Sequence, residues 1–172
     1  MELAVSNITR SVSALFFVIV SSLGATNGSL VSNLLGAGQQ KGVFPICHKI
    51  IKMGYAIGFP LVGVALFCDY WIIGFYTNNE TLVQHTVPPF IVMLFNYIFA
   101  VPGYVYISAV TGTGKTKIAF IFQVVTIMVY LLYLYWLSHC VHAPLAVYMT
   151  TEYLFVIMLG ILSVIYLKRK HY

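Results

Sequence analysis

Two residues of opposite charge, Arg10 and Glu152, lie inside long apolar stretches of the sequence and are the first candidates for chemistry. A carboxylate at membrane depth costs at least about 2.5 kcal/mol unless it is paired or protonated, so such a residue is a functional candidate. Glu152 is predicted about two turns inside one apolar segment, and Arg10 at a similar depth in another. The two side chains either form a structural pair or face the same water-filled cavity.

Other polar residues interrupt the same apolar segments. Pro102 removes a backbone hydrogen bond and predicts a kink, and Asn96 and Tyr97 precede it by less than two helical turns. Broken helices occur on the substrate paths of transporters, although prolines also serve packing alone. Gln123 and Tyr130 share a helix face that either lines a cavity for flat organic molecules or satisfies neighbouring backbones. We take these five residues, with Arg10 and Glu152, as candidates for a transport pathway.

The composition requires that the elements carrying these residues sit in lipid. Hydrophobic residues make up 60% of the 172 residues and charged residues only 8%, against roughly a quarter charged in an average soluble domain. Four acidic and nine basic residues cannot coat a domain of this size against water. We therefore expect membrane lipid as the surroundings and no nucleic-acid partner, despite the net charge of +5.

Five apolar segments are each long enough for a membrane-spanning helix, which needs about 20 residues. The segments are too long for barrel strands and lack a period of two, so the predicted fold class is an all-α integral membrane protein. We predict a single membrane domain over residues 1–172, with turn-forming residues at 36–38, 77–79, 112–114 and 142–144. The predicted spans are, roughly, Leu3–Leu35, Met53–Tyr76 with an amphipathic lead-in from Phe44, Pro88–Val110, Ile118–Leu137 and Leu145–Leu167.

The charges sort to the two sides of the membrane. Lysine and arginine residues follow the first, third and fifth spans, whereas the acidic residues fall on or towards the other side. The positive-inside rule makes the basic side cytoplasmic, which puts the C-terminus inside and, with five spans, the N-terminus outside. An outside N-terminus without a signal peptide is hard to insert, so we expect that helices upstream of Met1 are missing from this chain.

One short motif is similar in sequence to a nucleotide-binding loop. Ala109–Thr116 reads AVTGTGKT and fits a loose phosphate-loop pattern, but that pattern requires a preceding strand and a magnesium-binding acid. We therefore expect no nucleotide. Gly112 and Gly114 are assigned to a tight turn, and Lys115 to anchoring that turn at the cytoplasmic face.

The sequence shows no cluster typical of a metal or catalytic site. His139, Cys140 and His142 share a short outer loop, but their spacing lacks further ligands. No Ser-His-Asp or Cys-His arrangement is recognisable. We therefore predict that the protein is not an enzyme and holds no metal and no cofactor.

Two loops together carry a family resemblance. Asn33–Gly38 reads NLLGAG and contains Gly36 and Gly38, and Thr111–Thr116 reads TGTGKT. Both loops follow predicted helices on the cytoplasmic side, and in this order and spacing they resemble the multidrug and toxic compound extrusion (MATE) family. The resemblance covers nearly the whole chain, as the last five of the twelve helices of that family and as part of its second six-helix half.

The resemblance implies efflux of amphipathic, often cationic, small organic compounds by alternating access, in antiport with sodium or protons. It also implies a partner, the missing N-terminal helices of the same transporter, without which the fragment is not expected to transport. The implied location is the cytoplasmic (inner) membrane of a bacterial cell. Some members carry a cation-binding acid on the tenth helix, but Val101–Gly103 has none, so the coupling ion is not identified. The alternatives are a related lipid-linked oligosaccharide flippase or a small structural or assembly subunit.

Overall fold

The computed structural model describes residues 2–77, 79–141 and 145–170. Almost all of these residues are helical, and no strand occurs among them. Within this part of the chain five helices are long and apolar enough to cross a membrane, which confirms the predicted fold class. The helices are α1 (Glu2–Gly36), α2 (Val43–Phe67), α3 (Asp69–Gly74), α4 (Glu80–Gly112), α5 (Thr116–Trp136), α6 (Leu145–Met149) and α7 (Thr151–Arg169), with a 3-10 turn at Gln40–Gly42 and a π-helical turn at Leu137–Val141.

The predicted start of the third span, at Pro88, is wrong, because α4 begins at Glu80. The side-chain oxygen of Asn79 accepts hydrogen bonds from the backbone N–H groups of Thr81 and Leu82, at 3.0 and 3.3 Å. These bonds satisfy donors that a helix start otherwise leaves free. An asparagine followed by an acid is the sequence signal for this start. The neighbouring Asn78, part of the predicted break, lies outside the described residues.

The predicted bounds of the second span are wrong at both ends. The helix α2 starts at Val43, so the amphipathic lead-in belongs to it, and it ends at Phe67. Cys68 then separates it from the short helix α3. Lys49 and Lys52 are exposed. The buried residues of α2 recur every three or four positions, as expected for one face of a helix; they include Val43, Cys47, Ile50, Gly54 and Gly58.

The predicted fifth span corresponds to Val147–Arg169, within which Thr150 separates α6 from α7. The helix α6 ends at Met149, and the hydroxyl of Thr150 donates to the Val147 carbonyl at 2.6 Å before α7 begins. Glu152 is the second residue of α7 and lies within the span Val147–Arg169. A carboxylate in the first turn also interacts favourably with the helix dipole. The predicted break at His142–Pro144 lies outside the described residues.

The helix α4 packs against each of the other four long helices, and glycines allow the closest approaches. A Cβ atom added at Gly112 would lie 2.5 Å from the Gly28 carbonyl oxygen of α1. One added at Gly103 would lie 2.6 Å from the Val156 carbonyl oxygen of α7. The helices α1 and α7 are thus held at fixed positions against the same central helix.

The basic segments lie at one end of the bundle, as the predicted topology requires. Gly112 at the end of α4 contacts α1 at Gly28 and Val31, in its last third, and Tyr166 near the end of α7 contacts Phe122 in the first half of α5, with 5.9 Å between their rings. Gly38 and Gly114 have positive φ angles of 75° and 77°, a conformation that suits glycine in a tight turn. Gly36 and Gly112 instead end α1 and α4, and Lys115 is exposed beside the second turn.

Candidate transport cavity

A cavity of about 370 Å³ lies where α1 and α7 pack on α4, and it brings together four of the seven candidate residues. Rings from Phe16 and Phe17 supply part of its wall. The candidates that line it are Arg10, Asn96, Tyr97 and Glu152.

Arg10 and Glu152 are far apart in the sequence and share this cavity. Arg10 is exposed and Glu152 is half-buried. The opposite charges of Arg10 and Glu152 thus border the same space. Opposite charges attract more strongly in lipid than in water, because the surroundings screen them less. The sequence left two alternatives for Arg10 and Glu152, a structural pair or two groups that face one cavity, and this arrangement corresponds to the second.

Asn96 lines the cavity, but its Oδ1 atom is not accessible from it. Its Oδ1 atom is buried and has no hydrogen-bond partner among the described residues. A buried acceptor left in this state costs about 1–3 kcal/mol.

Tyr97 lines the cavity with its ring, whereas its hydroxyl is used inside the protein. The hydroxyl donates to the Gly54 carbonyl of α2 at 3.0 Å. The ring packs over Gly58 so closely that a Cβ atom there has no room. Its edge-on contact with Phe16, at 6.2 Å between centroids, joins two aromatic walls of the cavity. Tyr97 thus shapes the cavity but offers it no free hydrogen.

Pro102 does not line this cavity; it lines a separate groove of about 320 Å³ between α4 and α7. The proline has no N–H group, and the carbonyl of Ile98 in the preceding turn loses its usual donor. The hydroxyl of Tyr55 supplies that donor at 2.7 Å. At this position a side chain of the neighbouring helix α2 replaces the missing donor. This arrangement agrees with the alternative in which the proline serves helix packing.

The predicted face of α5 divides between two environments. Tyr130 lines a second cavity of about 200 Å³ together with Glu152, and its ring lies 6.3 Å from that of Phe155. Gln123 is exposed and belongs to the lining of neither cavity. Only one of the two candidates on this helix therefore approaches Glu152.

Some cavity residues are absent from the sequence prediction although a pattern marks them. Ser13 and Phe17 follow Arg10 by three and seven residues, a spacing that places all three on one helix face. Phe16 lies beside them and reaches the cavity next to Tyr97. Tyr55, in contrast, has no signal in the local sequence, because its partner is on another helix.

The described part of the chain holds no group of three or more histidine, cysteine and acidic side chains that could bind a metal ion. Cys47 is a buried free thiol and Cys68 an exposed one. In the motif His139, Cys140 and His142, His142 and the side chain of Cys140 lie outside the described part.

Five long apolar helices, three of which line a charged and aromatic cavity, are typical of a multi-pass membrane transporter. A model of the MatE family matches residues 1–137, which is most of the chain, and the chain belongs to that family. This match confirms the resemblance to the MATE family, whose members are transporters that export compounds across membranes. The match includes Arg10, Asn96, Tyr97 and both glycine loops, whereas Glu152 lies beyond it. Searches of curated proteins and of solved structures gave no match.

Proposed function

We propose that the chain forms part of a secondary transporter that exports amphipathic, often cationic, organic compounds in antiport with sodium or protons, by alternating access. The observation that carries the proposal is the cavity, which combines the Glu152 carboxylate with the rings of Phe16, Phe17 and Tyr97. A carboxylate attracts a cation, and aromatic faces bind both flat rings and positive charge. The cavity volume of about 370 Å³ falls within the range of small-molecule sites.

The cavity is incompletely enclosed by the helices described here. Arg10 and Phe17 both line it and are both exposed. We propose that further helices of the same transporter, from its N-terminal half, close the cavity, and that this chain does not transport alone.

We propose the cytoplasmic membrane of a bacterium as the location, with the basic end of the bundle on the cytoplasmic side. An ion gradient supplies the driving force in this proposal. Transport therefore needs no cofactor, no nucleotide, no nucleic acid and no catalytic step by this chain.

Efflux of a fluorescent organic cation, measured in cells that carry the complete gene, tests this function. The sodium gradient and the proton gradient are collapsed separately with selective ionophores. We expect one of the two treatments to stop efflux and the other to leave it nearly unchanged. Efflux equal to that of cells with an empty vector, or efflux that survives both treatments, would contradict ion-coupled export.

A further inference from the structure

We propose that the groove between α4 and α7 binds one acyl chain of an anionic phospholipid, and that Lys168 and Arg169 hold the headgroup of this lipid at the basic end of the bundle. The groove is the one of about 320 Å³ that Pro102 lines, and it shares no lining residue with the candidate transport cavity. The proposal therefore goes beyond the proposed function and does not depend on which compound the protein exports.

A close contact between two glycines gives the groove its depth. A Cβ atom added at Gly160 of α7 would lie 3.3 Å from the Cα atom of Gly103 on α4, so the two backbones are in contact there. Larger side chains line the groove around this contact, among them Phe99 and Tyr106 on α4 and Ile161 on α7. Apart from Tyr106, every lining residue is apolar. The groove therefore suits hydrocarbon and not a charged group.

The groove opens away from the contacts that α7 makes with α5. Ile157, Ile161 and Ile165 line the groove and are exposed. Phe155 and Tyr166 contact α5 and occupy a different face of α7. Since lipid tails are as apolar as these side chains, an acyl chain is the hydrocarbon that such an exposed groove meets in a membrane.

The length of the groove matches one leaflet of a bilayer. Ile157, Ile161, Val164 and Lys168 follow one another at intervals of four, three and four residues, so they share one face of α7. The distance from Ile157 to Lys168 along the helix axis is about 16 Å. The hydrocarbon core of a bilayer is about 30 Å thick, so a chain that follows this face spans about one leaflet. Its headgroup then lies beside Lys168.

The headgroup end of the groove carries positive charge on α7. Lys168 follows Val164 by four residues and Arg169 follows Ile165 by four, so each lies one turn beyond a residue that lines the groove. Both basic side chains are exposed. Basic side chains at a membrane surface attract anionic lipids more strongly than zwitterionic ones. The acidic residues of the chain lie at or beyond the opposite helix ends: Glu2, Asp69, Glu80 and Glu152.

A further lysine flanks the groove on α2. The ring of Tyr106, which lines the groove, lies 6.5 Å from the ring of His48. Lys52 follows His48 by four residues on the same face of α2 and is exposed. A lysine stem can follow apolar surface while its ammonium group reaches the headgroups. The groove thus ends between basic side chains of α2 and α7, and basic sites between membrane helices bind anionic headgroups.

The test places a fluorescent reporter in the groove of the full-length transporter. Ile161→Trp puts a tryptophan in the lining, and Ile121→Trp puts one on α5 outside the groove; both isoleucines are 54% exposed. The protein is reconstituted in liposomes of dioleoylphosphatidylcholine with increasing fractions of phosphatidylglycerol or phosphatidylcholine that carry bromine on their acyl chains. The measurement is bromine quenching of the fluorescence that each variant adds to that of the wild-type protein.

We expect brominated phosphatidylglycerol to bind beside Ile161→Trp about tenfold more strongly than brominated phosphatidylcholine, since two basic side chains contribute on that scale. Ile121→Trp should be quenched nearly equally by the two lipids. Lys117 lies one turn before Ile121, so a preference caused by surface charge alone would appear at that position as well.

Two pairs of substitutions separate the groove from the general charge of the basic end. Lys168→Gln with Arg169→Gln should remove most of the preference at Ile161→Trp. Lys115→Gln with Lys117→Gln removes the same charge from exposed positions beside α5 and should leave the preference unchanged.

Four results would overturn the proposal. Equal quenching of Ile161→Trp by the two lipids would show that the groove does not select an anionic headgroup. Equal preference at Ile161→Trp and Ile121→Trp, or equal loss of preference in the two double-glutamine variants, would show that surface charge acts without the groove. Absence of quenching of Ile161→Trp by either lipid would show that another segment of the transporter covers the groove. Export is measured separately by efflux, so none of these results decides the proposed function.

Discussion

The hydroxyl of Tyr55 on α2 donates a hydrogen bond at 2.7 Å to the carbonyl oxygen of Ile98 on α4. Ile98 lies four residues before Pro102, so this carbonyl is the one that the proline leaves without a backbone donor. In lipid no water is available to replace that donor, and the tyrosine does so from the next helix. The break in α4 is thereby tied to α2.

The first prediction concerns this bond. Tyr55→Phe should lower the free energy of unfolding by about 1 kcal/mol, because it leaves the Ile98 carbonyl without a partner. The measurement is thermal unfolding of the purified protein in detergent. In a Pro102→Ala background the backbone regains an N–H group for the same carbonyl, so the effect of Tyr55→Phe should largely vanish. An equal loss in both backgrounds would disprove the link between the two residues.

The second prediction concerns the packing of Tyr97 on α2. Gly58→Ala should destabilise the protein by about 1–3 kcal/mol, since the added methyl group collides with a ring that is only 3% exposed. The ring must then move, and its hydrogen bond to Gly54 is strained. Gly63→Ala is the matched control in the same helix, because nothing lies within 4 Å of its added methyl group. Thermal shifts of the same size in both variants would rule out the steric explanation.

The third prediction concerns the approach of α4 to α7. Gly103→Ala would bring its methyl group to 2.6 Å from the Val156 carbonyl oxygen, one turn after Glu152. We expect α7 to shift, with a loss of about 1–3 kcal/mol in stability and a lower export rate. Gly74→Ala, with open space around its methyl group, serves as the control. Full export by Gly103→Ala would show that the position of Glu152 is not critical.

The fourth prediction concerns the opposite charges of Arg10 and Glu152, which line the same cavity. Glu152→Gln should reduce export of organic cations about tenfold while membrane expression stays normal, because the cavity keeps the Arg10 charge and loses the opposing one. The double variant with Arg10→Gln removes this repulsion as well, so it should export more than Glu152→Gln alone. The measurement is the initial rate of efflux, normalised to transporter in the membrane. A double variant no better than Glu152→Gln would argue that Arg10 does not act on the bound cation.

The sequence predicts the features of this fold that depend on local composition. Apolar runs predict the five spans, because lipid requires long stretches without charge. Depth within the spans also predicts that Arg10 and Glu152 lie at similar levels, and lateral packing on α4 then brings them to one cavity. Helix ends are harder to predict: the apolar pattern places the start of the third span at Pro88, whereas α4 begins at Glu80 after the cap at Asn79.

The sequence does not predict which of several residues on the same helix face contacts a neighbouring helix. Gln123 and Tyr130 share one face of α5, yet only Tyr130 reaches the lining that includes Glu152. Whether the side chain of Asn96 finds a partner depends on residues from α1, α2 and α7, and local spacing contains no information on their rotation. The same holds for Tyr55, which bonds to a carbonyl 43 residues further along the chain.

The turns at Gly38 and Gly114 have a mechanical consequence. Only residues 37–39 separate α1 from the 3-10 turn before α2, and only residues 113–115 separate α4 from α5. Three residues span at most about 10 Å, so each pair of helices is tethered at the basic end. At the opposite end the connections are longer, with residues 68–79 after α2 and residues 137–150 after α5. The helices are therefore closely joined at the end where the lysines lie, whereas longer connections join them at the end that carries Arg10 and Glu152.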